Sequence, residues 1–335
     1  MILTRTPLRV SLFGGGSDYP AWFLEHAPGA VLGFAIDKYV YVGVKRMPPG
    51  QLGADGAPLR YRVQYSHVDD CQSIDEIKHP AVRAVLRYLP SDDPLEFHMF
   101  ADLPGRSGLG GSSACAVGLL HALSARNGTA PTPLTLAREA IAFEISRIGE
   151  TVGFQDQLFA ALGGMRFARF GRNGSDISKP LELSPARLSE LESSLVLVYT
   201  GTMRDAHAMA AKQIERTPQN KYLLKTLAQF ARDAHKLLSQ NRPLSFFGAL
   251  LNSAWSIKRE LHPEISSPGI DALYWRGLAL GALGGKLLGA GGGGFMAFWI
   301  PPSRRARFCA GIGVPVVQVK VSQTGSAIII GENHD

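Results

Sequence analysis

The chain has 335 residues, 45% of them hydrophobic and 19% charged, the balance of a globular protein with a sizeable core, and its length suggests two packed domains. No apolar run is long and charge-free enough to span a bilayer, and the opening MILTRTPLRV lacks the apolar stretch of a signal peptide. The three cysteines (Cys71, Cys115, Cys309) stand far apart without metal-ligand spacing, so a cytoplasmic protein with reduced thiols is expected. The net charge of +7 comes from scattered basic residues with no aromatic-basic module, which suits local phosphate contacts better than a nucleic-acid surface.

In chain order, Ile2–Phe13 alternates as a strand and runs into Gly14, Gly15, Gly16, Ser17, Asp18, Tyr19 and Pro20. Glycines at a strand end followed by Asp18 place a carboxylate on a loop where backbone crowds a ligand, with Arg9 a few residues before it. The plainer alternative is a glycine turn in which Ser17 or Asp18 caps a short helix over Tyr19–Glu25. Ala30–Arg46 and Arg60–Ser66 are strand-like, and the turn residues between them predict that these two strands form a hairpin with a long loop. A helix opens at Lys78-His79-Pro80 and runs to about Tyr88, and Leu95–Ala101 is a strand.

That strand feeds Pro104–Arg126, PGRSGLGGSSACAVGLLHALSAR, where a glycine-rich loop turns into a buried helix. Glycines let the backbone approach a ligand closely, and a first helical turn presents unpaired N–H groups at its positive end, so the junction is an anion site. Ser112 or Ser113 can cap this helix, and either hydroxyl could ligate a metal beside phosphates. An ordinary capped core helix after a glycine turn is the competing reading. A Walker loop is excluded, because no Gly-Lys-Ser/Thr triplet follows.

Thr132 and Pro133 then start a helix in which Ala137, Ile141, Glu144 and Ile148 share one face, so Glu144 projects from an apolar stripe and needs a cation or a salt bridge. Asp156 follows Gly153 and precedes a short apolar helix at Leu158–Leu162, either as a helix-start carboxylate or as a catalytic one. A strand at Met165–Phe170 follows, and the first domain closes near Leu183, so domains of 1–183 and 184–335 are expected. In the second, a strand at Leu195–Tyr199 precedes helices over about Arg204–Arg216, Tyr222–Gln240, Leu244–Leu261 and Gly269–Leu283. A four-glycine run, Gly291–Gly294, separates Lys286–Ala290 from a strand at Phe295–Ile300. A helix near Arg304–Gly311 and strands at Val316–Val321 and Ala327–Ile330 complete an α+β tail.

Three glycine loops in this order, RTPLRVSLFGGGSDY (5–19), PGRSGLGGSSA (104–114) and KLLGAGGGGF (286–295), resemble the motifs of the GHMP kinase superfamily. The resemblance implies an α+β, two-domain fold, with an N-terminal α/β domain carrying the phosphate loop and a ferredoxin-like C-terminal domain. It also places Glu144 and Asp156 where the superfamily has its magnesium glutamate and catalytic aspartate. Within the superfamily the chain looks most like the D-glycero-D-manno-heptose 7-phosphate kinases, through RTPLRVSLFGGGSDYPAWF, AIDKYVYV, DEIKHPAVR and the two later loops. One departure is Gly111, where serine is usual, which leaves Ser112 and Ser113 both open as metal ligand, with counting from Pro104 favouring Ser112.

What the resemblance implies is an ATP- and Mg²⁺-dependent transfer to the sugar C1 hydroxyl, giving a 1,7-bisphosphate for nucleotide-activated heptose in capsule, S-layer or lipopolysaccharide synthesis. ATP would lie on Pro104, Gly105, Arg106, Ser107, Gly108, Leu109, Gly110, Gly111, Ser112 and Ser113, with Mg²⁺ on Ser112 and Glu144. Asp156 and Arg9 would be catalytic. Gly14, Gly15, Gly16, Ser17, Asp18 and Tyr19, with Gly291, Gly292 and Gly293, would meet the sugar; from the residues themselves, backbone N–H groups of Gly14–Gly16 and basic side chains such as Arg5 or Lys38 are the candidates to hold its phosphate. Sugar phosphate and ATP are the expected partners, with neither nucleic acid nor membrane, and a homodimer is left open. The runner-up is a galactokinase- or fucokinase-like enzyme for an unphosphorylated sugar, although Gly15-Gly16 stands where galactokinases carry a Glu-His pair. An inactive sensor of the same fold is the non-enzymatic alternative.

Overall fold

The computed structural model describes the chain apart from residues 27, 54–55, 173–175, 204–205, 241 and 332–335. The first part runs β1 (Ile2–Phe13), α1 (Pro20–His26), β2 (Gly29–Arg46), β3 (Tyr61–Gln64), β4 (Val68–Cys71), α2 (Pro80–Tyr88), β5 (Leu95–Ala101), α3 (Gly111–Arg126), α4 (Pro133–Phe143), α5 (Gln155–Leu162), β6 (Met165–Phe170) and β7 (Asp176–Pro180). It continues as α6 (Pro185–Ser194), β8 (Leu195–Tyr199), α7 (Ala206–Glu215), α8 (Thr217–Ser239), α9 (Ser245–Glu260), α10 (Pro268–Ala279), β9 (Gly284–Leu287), β10 (Phe295–Trp299), α11 (Arg305–Gly311), β11 (Val316–Val317) and β12 (Ala327–Gly331). No described helix is long and apolar enough to cross a membrane.

Two sheets organise these elements. The larger has the order β12-β1-β2-β5-β3-β4, with β6 joined to β2 and β7 to β6, and every pairing is antiparallel except β3 with β5. The smaller has the order β11-β8-β10-β9, the fourth, first, third and second of its strands in chain order, which is the ferredoxin-like arrangement the resemblance implied. Long β2 serves two neighbours, pairing with β5 through Val40–Arg46 and with β6 through 29–34. Helix α3 lies on β1 and β2 through Gly118, where an added Cβ would stand 3.1 Å from Val42 and from the Thr6 hydroxyl.

Several expectations need correcting. The strands 30–46 and 60–66 do not form a hairpin, because β5 lies between β2 and β3; the hairpin is β3 with β4, which pair Tyr61–Gln64 with Val68–Cys71. Strand β9 was not expected, since Gly284 and Gly285 weaken any strand pattern. Their lack of side chains is what seats it: a Cβ on Gly285 would come within 2.7 Å of the Phe298 ring, and one on Gly284 within 2.1 Å of the Gly248 carbonyl oxygen in α9. The last strand leaves the ferredoxin-like sheet and returns to β1, pairing Ile2 with Gly331 and Arg5 with Ala327. Backbone bonds guide that return, from Asp37 N–H to Lys320, Ser322 N–H to Ala35 and Ser326 N–H to Ala160, all between 2.9 and 3.0 Å.

The third glycine run closes against the phosphate loop. Phe295 N–H donates to the Ser107 carbonyl at 3.0 Å, and Gly294, at φ +96°, stands so close that a Cβ would lie 2.3 Å from the same oxygen. Gly294→Ala is therefore expected to destabilise the fold by at least about 1 kcal/mol and to weaken nucleotide binding, since the clash and the left-handed backbone act together on the phosphate loop. Denaturant unfolding and nucleotide titration of the variant check this, and wild-type values in both would refute the contact's role.

Candidate active site

Helix α3 has Gly110 as its N-cap residue, whose φ of +74° lies in the left-handed region, and no side chain caps it. Neither Ser112 nor Ser113 is therefore the cap; both fall inside the first turn, where their hydroxyls are free for other partners. The N–H groups of this turn have no acceptor within the helix and face a cavity of about 450 Å³ lined by Arg106, Ser107, Gly108, Gly110, Gly111, Ser112 and Ser113. Pro104 and Gly105 are exposed and off the cavity wall, and Leu109 is buried in the core.

Arg9 reaches this loop from β1. The β1–β2 register shifts between Pro7 and Arg9, next to a proline that offers no N–H to the ladder, and the Arg9 N–H is spent on the Leu109 carbonyl at 2.9 Å. Its guanidinium donates from Nε and Nη2 to the two oxygens of Asp156, both at 2.7 Å, and from Nη1 to the Gly108 carbonyl at 2.6 Å. Arg9 is 5% exposed and Asp156 24%, so the cation is buried while the carboxylate keeps an open side toward the cavity. Asp156 is the second residue of α5, close to that helix's positive end.

The first glycine loop divides its labour. Ser17 is fully buried, donates to the Gly14 carbonyl at 2.7 Å and accepts from Ala30 N–H at 3.1 Å, so with Gly14 it fastens the loop to β2 instead of facing the cavity. Gly15, Gly16, Asp18 and Tyr19 do line it. Asp18 accepts from Gly16 N–H at 3.0 Å and Gln155 N–H at 3.4 Å, and a Cβ on Gly153 would come within 2.1 Å of its Oδ2. Neither Ser17 nor Asp18 spends its side chain on capping α1. Burial, reinforced by the charge of Asp156, pushes the Asp18 carboxyl up to about 6 despite those donors.

Glu144 marks a change of helix type. The face of Ala137, Ile141 and Glu144 is buried as expected, but α4 ends at Phe143, and Glu144–Ile148 forms a π-helical turn, a feature frequent at functional sites. The carboxylate is wholly buried behind Ser113, accepting from the Ser113 hydroxyl at 3.0 Å and from the Gln157 amide, while its Oε1 has no hydrogen-bond partner. Burial pushes this carboxyl up to about 8 against the opposing pull of the Gln157 donor. Ser112 is exposed at the cavity, whereas Ser113 is the serine that touches Glu144.

Two buried lysines of the cavity had no role in the sequence reading. Lys258 of α9 donates to the Gly289 carbonyl, and Lys286 of β9 donates to the Ser11 carbonyl at 2.9 Å; both are at least 95% buried. A signal for Lys258 existed, since it continues the buried stripe of Phe247, Leu251, Ala254 and Trp255, where a charge is out of place. The third glycine loop meets the cavity through Gly289 and Ala290. By contrast Gly291 backs onto Ile265, Gly292 N–H donates to the Ile265 carbonyl at 2.9 Å, and Gly293 backs onto Thr202. Arg5 and Lys38 do not line the cavity: Arg5 lies 4.6 Å over the Tyr39 ring and Lys38 pairs with Asp37 at 3.4 Å.

Comparison with known proteins agrees with this arrangement. Residues 76–164 match the GHMP kinases N terminal domain, and residues 234–313 match the GHMP kinases C terminal domain. A D-glycero-alpha-D-manno-heptose 7-phosphate kinase of Campylobacter jejuni is 28% identical over 91% of each chain. The bifunctional fucokinase/GDP-fucose pyrophosphorylase of Arabidopsis thaliana is 30% identical over 90% of this chain but only 30% of its own length. In structure, a D-glycero-D-manno-heptose 1-phosphate kinase from Bacteriodes thetaiotaomicron superposes with a TM-score of 0.75, 22% identity, and coverage of 97% of this chain and 98% of its own. Lactococcus lactis galactokinase also reaches 0.75, at 16% identity over 97% of this chain and 94% of its own. With both family domains matched in order around one phosphate loop, the chain belongs to the GHMP kinases, which are ATP-dependent enzymes.

Proposed function

We propose that the chain is a sugar 1-kinase that transfers the γ-phosphoryl group of ATP to the anomeric hydroxyl of D-glycero-D-manno-heptose 7-phosphate, giving the 1,7-bisphosphate. The observation that carries this reading is the Arg9 guanidinium, which holds both oxygens of Asp156 and the Gly108 carbonyl at once and so sets a proton acceptor against the phosphate loop. The phosphates of ATP would rest on the first turn of α3, where free N–H groups and the helix dipole favour negative charge. Asp156 would take the proton of the C1 hydroxyl as that oxygen bonds to the γ-phosphorus and the bond to the β-phosphate oxygen breaks, releasing ADP. Arg9 keeps the carboxylate in one plane and offsets charge that builds on the transferring group. Asp18 would accept hydrogen bonds from the sugar hydroxyls, held by Gly16 and Gln155 in a fixed orientation.

A cation fits beside this loop. Glu144 is buried with one oxygen unpartnered, and a single carboxylate with a hydroxyl is a usual protein share of a Mg²⁺ site whose remaining ligands are phosphates and water. We assign Ser112 and Glu144 as the protein ligands and Ser113 with Gln157 as the groups that orient Glu144. Bound there, Mg²⁺ would neutralise charge on the β- and γ-phosphate oxygens. The free thiols of Cys71, Cys115 and Cys309 support a place in the reducing cytoplasm. We also take Leu183/Ser184 as the division between the two domains, with β12 returning across it.

The heptose phosphate assignment draws on the 28% identity with the Campylobacter enzyme over nearly the whole chain, and on Gly15 and Gly16, which leave the sugar's far end free of a carboxylate. The runner-up, a 1-kinase for a free sugar, draws on the similarity to the fucokinase part of the Arabidopsis protein. Initial rates with ATP across free heptose, heptose 7-phosphate, fucose and galactose separate the two. Heptose 7-phosphate is expected to lead free heptose by at least about tenfold in kcat/KM, the size of one charge-assisted contact. Equal efficiency, or a better rate with fucose or galactose, would favour the runner-up. Asp156→Asn is expected to lower kcat by about 10²–10⁴-fold while nucleotide affinity is largely retained, because it removes the acceptor and its charge at constant size. Single-turnover rates and nucleotide titration read both quantities, and full activity would put the base elsewhere.

A further inference from the structure

Three buried cations line the cavity, and among the described residues only one of them has a carboxylate in ion-pair contact. Arg9 is matched by Asp156. Lys258 and Lys286 enter from α9 and β9, are 5% and 3% exposed, and each spends one donor on a backbone carbonyl. An ammonium has three donors, so each lysine keeps two without a protein acceptor among the described residues, and neither has a carboxylate in ion-pair contact there. Burial lowers Lys258 to about 8 and Lys286 well below the ordinary lysine range, and the charge of Arg9 adds to both shifts.

Folding gains little from these charges. Lys258 occupies a stripe position among Phe247, Leu251, Ala254 and Trp255, where an apolar side chain of like volume would pack without the cost of desolvating an ammonium. Lys286 stands in a strand whose four residues are all buried. Two buried lysines in one cavity, with spare donors and no ion-pair contact among the described residues, make a built seat for an anion, whose charge would hold both in the ammonium form. Within it Lys286 is the lysine set away from the phosphate loop, anchored at Ser11, two residues beyond Arg9 along β1 and so about 6–7 Å toward the Gly14–Tyr19 loop. Lys258 is anchored at Gly289, beside Gly108 of the phosphate loop, and the charge of Asp18 in the Gly14–Tyr19 loop acts on both lysines.

We propose that Lys258 and Lys286 seat the phosphate that the acceptor sugar already carries, and that this pair sets the choice of a phosphorylated over a free sugar. The proposal rests on the sugar 1-kinase reading above. Its test measures kcat/KM for heptose 7-phosphate and for free heptose at saturating ATP in the full-length wild type, Lys258→Met and Lys286→Met, each of which removes charge while keeping side-chain length. The expected result is that the ratio of the two efficiencies falls at least about tenfold in each variant. Equal losses with both sugars would overturn the proposal and place the lysines on the transferring phosphoryl group. An unchanged ratio in folded protein would overturn it as well. Circular dichroism confirms folding, and if one variant fails to fold, the other carries the same comparison. A wild type without preference for the phosphorylated sugar defeats the functional reading itself, whereas a preference that survives both substitutions defeats only the lysine assignment.

Discussion

The buried guanidinium of Arg9 is the interaction on which the site depends. It joins three segments distant in the chain: β1, which carries it; the phosphate loop, through Gly108 and Leu109; and the start of α5, through both oxygens of Asp156. A planar, permanently charged fork can hold a carboxylate and a carbonyl at once with fixed geometry, which a lysine could not do. The irregular register beside Pro7 and the left-handed Gly110 follow from the same requirement. The strand must release the Arg9 N–H to the loop, and a Cβ at Gly110 would press within 3.0 Å of the Arg9 side chain.

Around this fixed centre the site holds charge that the protein alone does not balance. Burial raises the carboxyls of Asp18 and Glu144 and lowers the ammonium groups of Lys258 and Lys286, so desolvation outweighs mutual attraction at all four. Each shift costs stability in the charged form. For Asp18 the sign is definite: its folded value of about 6 lies above the ordinary 3.8, so its contribution to stability is greatest below 3.8 and is lost as pH rises through about 6. A core that tolerates such groups is shaped for ligands that bring the missing charges, and ATP, the nucleotide of the family, is one of them.

The parts legible in the sequence were those where glycine, serine and acid side chains cluster. The loops at Gly14–Tyr19 and Gly105–Ser113 stand out by composition, and Asp18, Glu144 and Asp156 as carboxylates in glycine-rich or apolar surroundings, while their expected roles and that of Arg9 came from the resemblance to the superfamily motifs. What escaped was set by tertiary contact. Insertion of β5 between β2 and β3 depends on a parallel pairing that no local pattern encodes, and β9 hides behind glycines required by Phe298 and α9. Likewise the contact of Ser113, and not Ser112, with Glu144 follows from the rotation of one helical turn. Lys258 was legible in principle as a charge on an apolar stripe, but its partner Lys286 gains meaning only from the fold that brings β9 to Ser11.

The most direct test of the account is the position of the new bond. Heptose 7-phosphate turned over with ATP and Mg²⁺ should give a product whose phosphorus spectrum shows a second sugar phosphate coupled to the anomeric proton, with ADP formed in equal amount. A new phosphate on any other hydroxyl, or ADP released with free phosphate and unchanged sugar, would contradict the account.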